Sequence, residues 1–311
     1  MNEYKTIILG GGVSGLIASH FVKDSFLFEA TDRVAMDFLD GLFPKYIHCS
    51  KIVEDLFSEL NLKIHKEMFN IKILYKNVEY DFFNPLLNGA EKNFLYIDYC
   101  MKKYGRLKEN KMNGFLSGKY ERFFIKNKIE FIKKLYKENK KRILLHHKIV
   151  EIDLDSHQVH FENKKVIQYD NMITTIPIDV FSLISRKFIE VEEMRVNLIC
   201  CSVKNRRHPF MKNDFAYVPD SNYTFHRVNV CQNKKYLVFE LCDDLGCQFD
   251  VFSFLGKRKI PASNITERSF MFPVVKDINQ IQNVKFLGRF ATGDYETKIE
   301  DTIKEMQEYA K

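Results

Sequence analysis

The feature that most constrains this chain is the run Gly10-Gly11-Gly12-Val13-Ser14-Gly15. The short apolar stretch Thr6 to Leu9 leads into it, and apolar residues at helical spacing follow from Val13 to Val22. Ser25 to Glu29 then reads as a second short strand that ends on an acid. Strand, glycine turn, helix and strand in that order form a βαβ unit. The spacing Gly10-x-Gly12-x-x-Gly15 fits a dinucleotide-binding turn. Gly10 allows the tight turn, Gly12 keeps side-chain atoms away from a pyrophosphate, and Gly15 lets helix and strand pack closely. The amides around Gly11, Val13 and Ser14 then face the phosphates together with the positive end of the helix dipole. Glu29 stands where an acid about 20 residues beyond the glycines takes a ribose hydroxyl. A glycine turn on its own can be purely structural; the flanking strands, the helix and Glu29 favour the nucleotide reading.

The 311 residues allow one large domain or two closely joined ones. Hydrophobic residues make up 45%, enough for a core, and the 28 Phe and 15 Tyr without a single Trp make phenyl rings its main filling. A net charge of +7 suits a polyanionic ligand such as a dinucleotide and makes nucleic acid an unlikely partner. The densest basic run, Lys133 to Arg142, includes Glu138 and reads as the solvated end of a helix. The seven Cys contain no CxxC pair and point to reduced, buried thiols, hence a cytoplasmic protein. On a strand the adjacent Cys200 and Cys201 point to opposite faces. No signal peptide and no apolar run of about 18 residues is seen, so no membrane partner is expected.

Further along, the pattern predicts helices over Ile52 to Leu60, Asn93 to Tyr104, Tyr120 to Asn139 and Thr297 to Tyr309. It predicts a hairpin over Ile71 to Phe82 turning at Lys76-Asn77 and broken by Asn84-Pro85, and a loop over Glu109 to Gly118. Strands are predicted over Ile143 to Asp153, Gln158 to Phe161, Met172 to Ile176, Asn197 to Val203, Phe215 to Val218, Thr224 to Val230, Tyr236 to Cys242 and Val284 to Leu287. No linker or repeat separates them, so any two domains interleave.

Four stretches resemble the FAD-dependent amine oxidase, protoporphyrinogen oxidase and UDP-galactopyranose mutase group. The first is Glu29-Ala30-Thr31-Asp32-Arg33-Val34, where the family has E-A-x-D-R-V. The second is Ile149 to Ile152 followed by Tyr169 to Pro177. The others are Tyr223-Thr224-Phe225-His226-Arg227-Val228, and Gly288-Arg289-Phe290-Ala291 with Tyr295 and a helix behind it. The resemblance runs from Ile7 to Met306 and implies an α/β protein: a Rossmann-type FAD-binding domain interleaved with an α+β substrate domain containing an antiparallel sheet. The boundaries it suggests are 1–70, 140–180 and 280–311 for the FAD domain, and 71–139 with 181–279 for the substrate domain. It implies that Ala30 and Arg33 lie by the flavin nucleotide, that the strand from Ile149 lies against the adenine, and that Gly288-Arg289 brings the last helix to the flavin. One departure is clear. Ala35-Met36 stands where the family has two glycines, and Ala and Met take a positive φ badly.

The flavin would carry the chemistry, so no catalytic triad is needed. His146-His147 at a strand start reads as one buried and one exposed histidine, not a metal site. His48, with Cys49 after it, falls where the mutases bring a histidine near the isoalloxazine and could hydrogen-bond or act as a base. Arg227 would clamp a phosphate or carboxylate on the substrate, and Tyr295 would hydrogen-bond it. Two readings follow: an oxidoreductase acting on a small or nucleotide-linked substrate, or a nucleotide-sugar mutase using reduced FAD. Against the mutase, Lys111-Met112-Asn113-Gly114 lacks the second arginine, Gly293 replaces a tyrosine, and Phe272-Pro273 replaces Tyr-Pro. A third reading is a flavin fold that has lost FAD and only binds a partner.

Overall fold

The structure, a computed structural model, describes residues 2–35, 47–76, 78–82, 95–99, 123–231, 236–241, 248–275, 281–294 and 297–311. The chain begins β1 (Asn2–Leu9), α1 (Val13–Phe21), β2 (Ser25–Phe28) and α2 (Lys51–Glu59). Then follow β3 (Lys66–Met68), the hairpin β4 (Ile71–Tyr75) and β5 (Val78–Asp81), β6 (Phe123–Ile125) and α3 (Lys128–Asn139). Next come β7 (Ile143–Leu144), β8 (Ile149–Asp153), β9 (Gln158–Phe161), β10 (Val166–Thr174) and α4 (Ile178–Ser185). The remainder is β11 (Glu192–Val203), β12 (Phe215–Tyr217), β13 (Arg227–Val230), β14 (Tyr236–Leu241), α5 (Gln248–Lys257), β15 (Ala262–Val274), β16 (Val284–Phe286), α6 (Arg289–Thr292) and α7 (Ile299–Tyr309).

The first sheet has the order β7-β2-β1-β10-β9-β8, with β16 added to β10. β1, β2, β7, β10 and β16 run parallel, and β8 and β9 are antiparallel. β10 pairs with β1 along one edge and serves two neighbours along the other: its first residues pair with β9, and Met172 to Thr174 pair with β16. The apolar run in β1 has a direct cause. Ile8 packs with Leu16, Phe57, Phe131 and Ile303 on one face, while Ile7 and Leu9 pack with Phe28, Phe161, Met172 and Phe181 on the other. A strand buried on both faces needs no polar alternation.

The second sheet has the order β15-β11-β14-β13-β12-β4-β5, antiparallel except where β12 meets β4. Residues 71–81 therefore complete a sheet built mainly from residues 192–274. α5 covers one face through Val251, Phe254 and Leu255 against Phe225 and Phe239. Cys201 belongs to that cluster and Cys200 to the one on the opposite face, as alternation demands. Cys49, Cys200, Cys201 and Cys231 are free thiols. Burial pushes Cys49 and Cys231 up to about 11, so neither is a nucleophile at neutral pH.

Several expectations are corrected. Phe123-Phe124-Ile125 is a strand paired with β3, and the helix begins only at Lys128. Asn127 makes the break: its side chain donates to the Lys63 carbonyl at 2.8 Å and accepts from the His65 amide at 3.2 Å. The strand over 143–153 is two strands, split where His146 adopts φ 57°. β15, thirteen residues along β11, and the helices α4 and α5 were not anticipated. Arg142 is not simply solvated, since its guanidinium donates to the Val22, Lys23 and Ser19 carbonyls at 2.7–2.9 Å and closes the end of α1. Lys76 turns the hairpin at φ 49°. Asn77, Asn84-Pro85, the 109–118 loop and most of the 93–104 helix lie outside the described residues, of which 95–99 are helical. Among the described residues no helix is long and apolar enough to cross a membrane, and no cluster of metal-ligating side chains occurs. His146 is exposed and His147 half-buried.

Candidate functional site

The glycine run forms the turn between β1 and α1. Gly10 has φ 100°, and a Cβ there would meet Thr175 Oγ1 at 2.5 Å. That hydroxyl lies 3.0 Å from both the Leu9 and Gly10 carbonyl oxygens, so the turn is locked against the end of β10. A Cβ on Gly15 would overlap the Gly10 carbonyl oxygen, which explains how α1 lies directly on the turn. Gly12 differs from both: it is exposed, and, its own chain neighbours aside, none of the described residues comes within 4 Å of where its Cβ would be. It is also the N-cap of α1 and supplies no side-chain cap. The amides of Val13, Ser14 and Gly15 thus begin a helix whose positive end lies at the exposed Gly12.

Glu29 closes one side of this opening. Its Oε2 accepts from the Gly11 amide at 2.6 Å, and its Oε1 accepts from the Thr31 amide and hydroxyl at 2.8 and 2.7 Å. A carboxylate has about four acceptor positions, so Glu29 keeps capacity for a hydroxyl. Ala30 and Arg33 are exposed beside it. Ala35 adopts φ 52°, the left-handed conformation a glycine would favour, and its amide donates to the Gly11 carbonyl at 2.8 Å. The path survives the missing glycine at the cost of strain; Met36 lies outside the described residues. Ala35→Gly removes about 1–2 kcal/mol of left-handed strain and adds about 0.5–1 kcal/mol of backbone entropy cost. The expected outcome is a variant up to about 1 kcal/mol more stable in urea unfolding.

Gly288 closes the other side. It has φ 82°, and a Cβ there would collide with the Ser14 side chain, so the C-terminal motif rests on the glycine loop. Arg289 opens α6, and its Nε donates to the Thr297 carbonyl at 3.3 Å. Gly293 has φ 62°, and a Cβ there would lie 2.7 Å from Val275, so no tyrosine fits that backbone. Tyr295 lies outside the described residues. Ile149 begins β8 at the far edge of the sheet, half-buried opposite Phe161.

His48 bridges to Phe124 of β6, and its ring lies 5.3 Å from that of Phe69. Burial, reinforced by Lys298 at the head of α7 and opposed by Glu300, brings its pKa down from 6.5 to about 4. The imidazole is therefore neutral at neutral pH, with one donor and one acceptor. Because the folded value lies below the unfolded one, stability is full above about pH 6.5, falls towards about pH 4, and levels off below that. Between about pH 7 and about pH 5 the wild type should lose about 2 kcal/mol more than His48→Gln. Urea midpoints at the two pH values measure the difference.

From His48 an aromatic wall leads into the second sheet. Phe69 packs 4.7 Å from Phe124 and 5.8 Å from Phe215, and Phe215 lies 5.3 Å from Tyr217. Arg227 on β13 sits 5.9 Å from the Phe215 ring. Arg227 thus shares this wall with His48, but its fork is not open as the sequence implied. Its Nε donates to Glu240 Oε2 at 2.8 Å, and an Nη contacts the same oxygen. Glu240 is 1% exposed and Arg227 26% exposed. His226 Nε2 lies 3.5 Å from the other carboxylate oxygen, Oε1, and the Asn229 side-chain amide donates to Oε2 at 3.4 Å. Glu240 was missed because it reads as one acid inside a strand; pairing with Arg227 across β13 and β14 is what gives it a role. Lys111 to Gly114 and the side chains of Phe272 and Pro273 lie outside the described residues.

No protein-family model matches the chain, and no curated protein is similar to it. Solved structures do match. Reduced UDP-galactopyranose mutase superposes with a TM-score of 0.67 at 13% identity, covering 99% of this chain and 93% of that one. A fatty acid isomerase from P. acnes gives 0.69 at 13% identity, covering 98% and 97%. Putrescine oxidase bound to putrescine gives 0.67 at 10% identity, covering 99% and 98%. The chain shares the fold of these three proteins.

Proposed function

We propose that this protein is an FAD-dependent oxidoreductase acting on a small or nucleotide-linked substrate. The observation that carries the reading is the open glycine cradle. Gly12 stands exposed at the positive end of α1, Glu29 borders it, and Gly288 seats the C-terminal motif against Ser14. These residues suit a dinucleotide: amides of Val13 to Gly15 for the pyrophosphate, with Gly11 tied by its amide to Glu29, Glu29 for ribose hydroxyls, and Gly288-Arg289 at the flavin end. Ala30, Arg33 and Ile149 would border the nucleotide. When bound, FAD supplies a two-electron acceptor for hydride. In this reading 1–70, 140–180 and 280–311 hold the cofactor, and 71–139 with 181–279 cover the substrate. Neutral His48 would hydrogen-bond at the reacting end or take up a proton, and the wall of Phe69, Phe124 and Phe215 would keep water out. Arg227, already held by Glu240, would offer an orienting N–H rather than a full positive charge. Tyr295 is kept as a further substrate contact.

The mutase reading is the alternative, supported by the fold likeness to UDP-galactopyranose mutase and by the motif around Arg227. The pairing of Arg227 with a buried carboxylate weighs against it, since a diphosphate clamp needs uncompensated charge. Redox stoichiometry separates the two. An oxidoreductase consumes one acceptor per product, whereas turnover of UDP-galactose only after prereduction, with no acceptor consumed, would overturn the preferred reading. The kept path through Ala35 speaks against a fold that has lost its cofactor.

A further inference from the structure

The second sheet carries another surface, separate from the aromatic wall. α5 buries Val251, Phe254 and Leu255 but turns Phe249 and Phe252 outward, 73% and 54% exposed. Three residues apart, they share one helix face. Gly256 continues that face, with no atom within 4 Å of where a Cβ would be. Beside it lies an open apolar groove of about 550 Å³ lined by Phe252, Leu255, Gly256, Ile260, Pro261 and Ile265.

Cations surround this apolar surface. Lys257 ends α5 and Lys259 follows it, and Lys204, Arg206 and Arg207 follow β11; all are exposed. The two segments are tied together. The Lys204 amide donates to the Pro261 carbonyl at 3.0 Å, and His208 Nε2 lies 3.0 Å from the Arg258 carbonyl. None of the five cations forms an ion pair with a described residue; Lys257 rests 5.4 Å from the Tyr223 ring centre. Nearby carboxylates are engaged elsewhere: Asp250 accepts from the Thr224 amide, Glu79 holds Arg258, and Glu267 accepts from Gln248.

We propose that this face docks on an anionic phospholipid bilayer. Phe249 and Phe252 enter the boundary between headgroups and acyl chains, and the five cations meet the lipid phosphates and carboxylates. Exposed aromatics flanked by Lys and Arg on an amphipathic helix fit this interface. A soluble polyanion would satisfy the charges but leave both phenyl rings in water. Among the described residues no helix is long and apolar enough to cross a membrane, and the expectation of no membrane partner, drawn from the lack of a long apolar run, does not bear on a peripheral contact.

Co-sedimentation of the full chain with vesicles tests the proposal. Vesicles of phosphatidylcholine mixed with phosphatidylglycerol should pellet the protein, phosphatidylcholine alone should not, and added salt should release it. Each neutralisation among Lys204→Gln, Arg206→Gln and Lys259→Gln should weaken binding roughly fivefold. The pair Phe249→Ser with Phe252→Ser should weaken it by roughly tenfold or more. These are surface positions, and unchanged thermal melting checks that the variants are folded. Failure to bind the mixed vesicles, equal binding to neutral ones, or wild-type binding by the double serine variant would overturn the proposal.

Discussion

Gly12→Asp should abolish flavin binding while leaving the fold intact or slightly stronger. Gly12 is exposed with φ −65° and ψ 179°, values open to any residue, and, its own chain neighbours aside, none of the described residues comes within 4 Å of the new Cβ. As the N-cap of α1, aspartate would accept from a first-turn amide and complement the dipole, worth about 0.5–1 kcal/mol. The same carboxylate would stand in the opening that a pyrophosphate needs. Two like charges about 4 Å apart at an effective dielectric constant of about 20 repel by about 4 kcal/mol, roughly a thousandfold in affinity. Gly15→Ala behaves in the opposite way, because its Cβ overlaps the Gly10 carbonyl oxygen and the fold itself gives. Calorimetric titration with FAD beside urea unfolding of both variants separates binding from stability. A Gly12→Asp protein that keeps wild-type affinity would remove the cradle from the account.

Arg227→Ala should strongly destabilise the second sheet. It takes the guanidinium away from Glu240, 1% exposed, and removing one partner of a buried ion pair typically costs about 3–5 kcal/mol. Glu240→Gln should cost less, about 1–3 kcal/mol, because Arg227 is 26% exposed and can reach water. Replacing both, as Arg227→Met with Glu240→Leu, should recover much of the loss. The order of urea midpoints checks this: wild type, then Glu240→Gln, then Arg227→Ala, with the double variant above Arg227→Ala. Equal midpoints for the two single variants would mean that the pair does not carry the buried charge as described.

The part of the fold legible in the sequence was the part with local causes. Gly10, Gly12 and Gly15 each answer to a contact or an opening within the turn itself, and β1 reads as apolar because both its faces are buried. Local signals missed what depends on distant partners. Phe123 to Ile125 looked like the start of α3, yet it pairs with β3, and Asn127 breaks the helix through bonds to residues more than 60 positions away. β15 was overlooked because its polar and apolar residues show no clean alternation, while β11 fixes it over its whole length. Arg227 was singled out without Glu240, since only the register of β13 against β14 joins them. Ala35 marks the reverse case. Its side chain argued against the glycine path, and the amide bond to the Gly11 carbonyl holds that path nonetheless.

The central claim, that the cradle from Gly10 to Gly15 holds FAD, is tested most directly by measuring flavin in the purified protein. The protein is reconstituted with excess FAD, freed of unbound ligand, denatured, and its released flavin quantified by chromatography. One FAD per chain is expected, and none from Gly12→Asp prepared in the same way. A folded wild-type protein that releases no flavin would contradict that claim.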